Sequence, residues 1–257
     1  MPEGDAVRRT ARRLDAALAG EELRSAQIRV PRSATVDLAG FTVAGTHVHG
    51  KHLLTRLVKG DERLTLHSHL RMDGRWSTGP ASERPCAGPA HQIRVWLVGS
   101  RRQAVGLRLM EVVVVPTDRE SDLVGHLGPD ILGDSWDSAE GARRVGADPA
   151  RGVVDALLDQ TLVSGLGTMW AAEAAFGARV TPFTPVGDVG DLAGVLTRIR
   201  QRMRRAIIDD RRAGRTRLDI FERRTCVRCG GPVRKGRVGV HERATYWCPT
   251  CQSGPAR

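Results

Sequence analysis

Residues 159–176 read DQTLVSGLGTMWAAEAAF: a turn led by an aspartate, two glycines one residue apart, then small apolar residues at helical spacing. Just upstream, RGVVDALLDQ (151–160) puts Val153, Val154, Leu157 and Leu158 on one helical face. Just downstream, MWAAEAAFGA (169–178) reads as a second helix, rich in small residues. Gly165 and Gly167 permit the tight turns that join the two. They also leave backbone N–H groups uncovered at the start of the second helix, where phosphate can be held. A bare Gly-x-Gly connects many helices that bind nothing, so its flanks must decide.

Working outward, a third helix runs through Leu192, Val195, Leu196, Ile199, Met203 and Ile207. Its opposite side carries Arg198, Arg202, Arg205 and Arg212, which for one helix alone reads as a solvated face. Before residue 120 the pattern is different. SAQIRV, TVAGTHVHG, HLLTRLV, RLTLHSHL, HQIRVWLV and LMEVVVV are short β-branched runs separated by turns, the signature of a β-sandwich or barrel. TGPASERPCAGPA (78–90) is a loop between them, expected to be mobile. Ahead of the strands, Val7, Ala11, Leu14 and Leu18 make residues 5–19 an amphipathic helix that Asp5 can cap, with Arg8, Arg9, Arg12 and Arg13 on its other side.

The chain has 257 residues, enough for two domains or for one with an appendage. Its net charge of +11 points to a polyanion, most simply nucleic acid. The cations are almost all arginine; Lys51, Lys59 and Lys235 are the lysines. Since only a lysine can readily give up its proton, these three are worth following. No segment reaches the roughly 18 apolar residues of a membrane span, and no secretory signal is visible, so a cytoplasmic protein is expected.

Cys226 and Cys229 form one Cys-x2-Cys pair and Cys248 and Cys251 another, with eighteen residues between them. Two such knuckles surround one tetrahedral Zn²⁺, and the stretch between them can fold as a β-hairpin. Four thiolates leave no coordination position for substrate, so this zinc is expected to hold a fold. A redox-active pair is the alternative. Cys86 stands alone in the loop and is read as a bystander. His47 with His49, and His67 with His69, lie two residues apart and share strand faces. No carboxylate cluster accompanies them in the sequence, and no second metal site is expected. Tyr246 and Trp247 are read as packing the finger.

Taken in order, MPEGD at the start, GKHLL, SHLRMDG, LGPDIL, DQTLVSGLGTMWAAEAAF and the final cysteine pattern resemble the formamidopyrimidine-DNA glycosylase/endonuclease VIII family over nearly the whole chain. The opening MPEG and the GKHLL strand are more similar to the endonuclease VIII branch. The resemblance implies a multidomain α+β chain. Residues 1–120 would form a catalytic two-sheet β-sandwich with an N-terminal helix, 121–218 a helix–two-turn–helix DNA-binding domain, and 219–257 a β-hairpin zinc finger.

The resemblance also implies a bifunctional DNA glycosylase/AP lyase of base excision repair, acting as a monomer on damaged DNA. Oxidised pyrimidines are the expected bases, with β,δ-elimination through an iminium adduct. Once Met1 is removed, Pro2 would be the nucleophile, its ring nitrogen attacking C1′. Glu3 would be the acid/base group, where its residues alone suggest a first-turn helix acid. Lys51 matches the family's strand lysine, a proton donor or phosphate clamp. Arg243 matches the finger arginine at the lesion phosphate, where it would stabilise charge. Arg71, His126 and Thr168 fall where the family contacts DNA, and Met72 where it inserts an apolar wedge into the stack. Two departures stand out: Thr168 replaces the usual asparagine, and SRRQAVGLRLMEV lacks the RRF loop of the 8-oxoguanine branch, Arg101 and Arg102 being weak substitutes. An 8-oxoguanine/formamidopyrimidine glycosylase, a non-catalytic DNA binder and a zinc-ribbon interaction protein are the alternatives.

Overall fold

The structure, a computed structural model, describes residues 2–209 and 217–255; Met1 and Arg212 lie outside the described residues. The contacts of the described residues separate two compact units, residue 2 with 6–126 and residues 3–5 with those from 127 onward. The architecture is the expected α+β one, with two sheets, a helical region and a terminal four-cysteine hairpin.

In the first unit, α1 (Gly4–Leu18) is followed by β1 (Ser25–Ile28), β2 (Thr42–His49), β3 (His52–Lys59), β4 (Glu62–His69), β5 (Arg75–Pro80), β6 (Ile93–Val98), β7 (Arg102–Leu107), β8 (Glu111–Pro116) and the short α2 (Ser121–Val124). The strands make two antiparallel four-stranded sheets, ordered β1-β6-β7-β5 and β2-β3-β4-β8. Leu53, Leu57 and Leu66 from one sheet and Val95, Leu97 and Ala104 from the other share one core with Val7, Ala11, Leu14 and Leu18 of α1. That common core makes the pair a sandwich. Alternation along β3 and β4 turns Leu53, Leu57 and Leu66 inward and leaves His52, His67 and His69 on the opposite face.

A second cluster, Ile93, Trp96, Val98, Val105 and Leu107, covers the outer face of the first sheet, with Ala81 and Ala87 of the following loop packed on it. Buried Gln103 ties that loop down: its amide oxygen accepts from Trp96 Nε1 at 2.7 Å and from the Cys86 N–H at 3.1 Å, while its NH2 donates to Pro80 and Arg84 carbonyls. At the β6–β7 turn, Glu21 accepts from the Ser100 hydroxyl, from the Ser100 N–H at 2.8 Å and from Arg101 Nε at 2.9 Å. These bonds, the Ser100 hydroxyl foremost, lower the Glu21 carboxyl to about 2. Arg101 therefore serves a turn of the sandwich.

In the second unit, α3 (Ser138–Val145), α4 (Val153–Leu158), α5 (Thr168–Ala178) and α6 (Leu192–Asp209) precede the hairpin of β9 (Arg234–Val238) and β10 (Arg243–Trp247). Asp137 caps α3 by accepting the Ala139 N–H. Val154, Leu157, Leu166, Trp170, Leu196 and Met203 form the core between the helices. α5 is enclosed, and apart from Glu173 its buried residues are apolar: one side packs through Ala172 and Phe176 on Ile220, Tyr246 and Cys248 of the finger. Tyr246 and Trp247 are thus packing residues, Trp247 meeting Phe183 edge-on.

The basic side of α6 is not uniformly solvated. Arg202 bonds the fully buried Glu173 carboxylate at 2.7 Å and lies within 3.2 Å of Asp219. Among the described residues, no helix is long and apolar enough to cross a membrane.

Candidate functional site

Glu3 belongs to the second unit, where it closes the start of α5. Its carboxylate accepts the N–H groups of Gly167 at 2.9 Å, Met169 at 2.7 Å and Trp170 at 3.2 Å. Three of the amides at this helix start, those of Gly167, Met169 and Trp170, are therefore taken by the Glu3 side chain and not held open for phosphate. Asp5 refines a second expectation: α1 already begins at Gly4, which puts Asp5 inside its first turn, and Asp5 accepts the Trp170 indole N–H at 2.9 Å. The Gly4 N–H donates to the Gly165 carbonyl at 2.9 Å.

Each glycine of the turn has its own reason. Gly165 sits at φ 100°, a conformation side chains resist. At Gly167 a Cβ would lie 2.5 Å from the Glu3 carboxyl carbon. Gln160 braces the same loop: it donates to the Leu158 and Leu166 carbonyls and accepts the Gly165 N–H at 3.1 Å. Gly167→Ala is expected to cost about 1–3 kcal/mol through this overlap. It should also lower DNA cleavage at least tenfold, read by urea unfolding and by single-turnover cleavage.

Pro2 is half-buried and immediately precedes Glu3. In the first unit, Lys51 occupies the two-residue turn between β2 and β3, where Gly50 has φ 59°. Lys51 is 7% exposed, so its ammonium is placed by the fold and does not trail in solvent. Beside it, the polar face of β3, β4 and β8 gathers His52, His67, His69 and Glu111. His52 Nδ1 and His67 Nε2 are 2.9 Å apart. Burial pushes His52 down to about 3, helped by His69, His67, His126 and Arg71, and holds His67 and His69 at about 4. At neutral pH these rings hydrogen-bond as neutral groups.

Arg71 has φ 48°; its N–H donates to His69 Nδ1 at 3.0 Å and its guanidinium pairs with Glu111. Met72 is 66% exposed, against the ordinary packing a lone methionine suggests. His126 is exposed. The β4–β8 register, which sets His69 opposite Glu111, brings Met110 to the same edge; it is 77% exposed. Glu111 and Met110 were missed in sequence because each looks ordinary there, and only strand pairing gives them neighbours.

In the second unit, Thr168 is the first residue of α5 and Arg243 the first of β10. Exposed Arg243 lines a cavity of about 620 Å³ together with Asp155, Asp159, Gln160 and His241. The four finger cysteines converge: Cys226 and Cys251 sulfurs are 3.9 Å apart, Cys229 and Cys248 3.5 Å, and all four Sγ atoms lie within 4.8 Å of one another. A tetrahedral Zn²⁺ with Zn–S near 2.3 Å spaces its sulfurs by about 3.8 Å, so the cluster fits a structural metal.

Comparison with known proteins extends this geometry. The formamidopyrimidine-DNA glycosylase N-terminal domain matches residues 1–110. A probable endonuclease 8 2 of Streptomyces coelicolor is 47% identical, covering 100% of this chain and 95% of that protein. The chain belongs to the formamidopyrimidine-DNA glycosylase/endonuclease VIII family. It is of the endonuclease VIII type and an enzyme of the DNA glycosylase/lyase class. The DNA-(apurinic or apyrimidinic site) lyase Nei2 of Mycolicibacterium smegmatis is 38% identical over 98% of this chain and 99% of its own length. In fold, the chain is similar to Lactococcus lactis formamidopyrimidine-DNA glycosylase, solved non-covalently bound to DNA containing an abasic site. That match has a TM-score of 0.81 at 22% identity, over 98% of this chain and 100% of the other.

Proposed function

We propose that this enzyme excises oxidised bases, mainly pyrimidines, from DNA and nicks the strand by β,δ-elimination through an iminium adduct of Pro2. The observation that carries the reading is the Glu3 clamp: three amides at a helix start hold a carboxylate one residue from the proline nitrogen. An anion held there favours a cation forming on Pro2.

The chemistry follows from that pairing. With Met1 removed, the Pro2 nitrogen attacks C1′ while the C1′–base bond breaks, the base leaving with the bonding electrons. The attached nitrogen gives up its N–H proton, which Glu3 can pass to O4′; the sugar opens at C1′–O4′ and the freed nitrogen lone pair completes the iminium. This cation draws electrons from C2′, whose proton leaves as the 3′ phosphate is expelled; loss of the C4′ proton then expels the 5′ phosphate. Glu3 is the group that moves protons at the sugar. Lys51, shielded in its turn, donates a proton or holds a phosphate. Arg243, on the rigid hairpin, stabilises the departing phosphate, since an arginine does not act as an acid.

Arg71, His126 and Thr168 contact the DNA backbone in this reading, and Met72 fills the space left by the extruded base, with Met110 beside it. The short hydroxyl of Thr168 gives less reach than an amide. Residues 1–120, 121–218 and 219–257 act as catalytic, helix–two-turn–helix and finger modules of a monomer, with Zn²⁺ holding the finger.

Duplexes carrying thymine glycol, 8-oxoguanine or an abasic site test the substrate. Expected is cleavage of the first and third, with 8-oxoguanine released at least tenfold more slowly; the reverse order would move the enzyme to the 8-oxoguanine class. Stripping the finger metal should abolish cleavage and duplex binding together, since the metal's binding energy folds the finger. Gel shifts and metal analysis before and after chelation check this; full cleavage by metal-free protein would contradict it.

A further inference from the structure

We propose that His52, His67 and Glu111 form a second metal site, for a borderline transition-metal ion of the Zn²⁺ class, on the polar face of β3, β4 and β8. The expectation of no such site rested on the want of a carboxylate near the paired histidines. Strand register supplies one. Glu111 of β8 lies opposite His69 of β4, which lies opposite His52 of β3, and His67 points the same way as His69.

The donor atoms of His52, His67 and Glu111 all lie within 4.8 Å of one another, with the two ring nitrogens at 2.9 Å. Bonds of about 2.0–2.2 Å to an ion space its donors by roughly 3.3–3.5 Å, so a small opening of the histidine pair and a turn of the Glu111 side chain complete the set. Two imidazoles and one carboxylate make the donor set of open zinc sites, leaving a fourth position for water or another oxygen. Nitrogen donors argue against Mg²⁺ and Ca²⁺. In the ion-free protein the two rings share one N–H···N bond. On binding, the ring carrying that proton moves it to its other nitrogen, and no proton is lost.

Arg71 opposes the ion, because its guanidinium pairs with Glu111, and Lys51 adds positive charge nearby. The site is therefore weaker than the four-cysteine cluster and is filled after it. Binding takes Glu111 away from Arg71.

The test is calorimetric titration of Zn²⁺ into the full chain with its finger already loaded, without DNA, at neutral pH. Expected is one further equivalent, weakened at least tenfold by His52→Asn and by Glu111→Gln, neither of which sits in the apolar core, and unchanged by His47→Asn. Histidine ring resonances followed by NMR should show His52 and His67 responding to that equivalent alone. A second equivalent indifferent to both substitutions, or none at zinc tenfold above the protein, overturns the site.

Discussion

Borohydride is expected to capture the protein covalently on a duplex carrying an abasic site, and the capture should vanish when Pro2 is kept in peptide linkage. The physical reason is the lone pair. A terminal proline is a secondary amine that forms a cationic C=N bond with an opened sugar, whereas behind any residue its nitrogen is an amide without nucleophilic electrons. A chain with one uncleaved residue before Pro2 should therefore lose strand cleavage by at least about a thousandfold, the scale seen when a nucleophile is removed. Duplex affinity should stay near that of the parent. Pro2→Ala is the companion variant: it leaves a primary amine, so a slower, residual adduct is expected. Full trapping by the extended chain would place the nucleophile elsewhere, with the lysines the next candidates.

The second large effect is structural. Glu173→Ala should destabilise the second unit by about 3–5 kcal/mol, read by urea unfolding of the full chain. Glu173 is 0% exposed, and its carboxylate accepts the N–H groups of Asp219, Ile220 and Phe221 between 2.8 and 3.0 Å, with Arg202 at 2.7 Å. Truncation leaves three backbone donors and one guanidinium without their acceptor, and a buried donor left unpaired costs far more than an average hydrogen bond contributes. Because residues 219–221 lead into the finger, the variant should also bind duplex more weakly. Glu173→Gln keeps one acceptor oxygen and should lie between the two. Equal stability of Glu173→Ala and parent would show that water replaces the carboxylate.

Much of this was legible because it is local. The α1 and α6 stripes are written in spacings of three and four, and the histidine strands in spacings of two, both set by backbone geometry. β5 and β7 were not read. RWSTGP runs into the Gly-Pro signal of the next loop, and RQAVGL is buried from Gln103 to Leu107 on both faces, which erases alternation. α4 came out at six residues where ten were expected, since Asp159 leaves helical geometry at ψ 105°.

The sequence by itself determined the two-sheet, helical and finger organisation, the two cysteine pairs and, through the order of its motifs, the family. Tertiary structure decided what those motifs do to one another. Glu3 reaches amides 164 to 167 residues away, Glu173 reaches the approach to the finger from 46 residues before it, and Glu111 meets His52 and His67 only through β4. A carboxylate's partner is fixed by where the chain returns in space, and no spacing of residues along it carries that information.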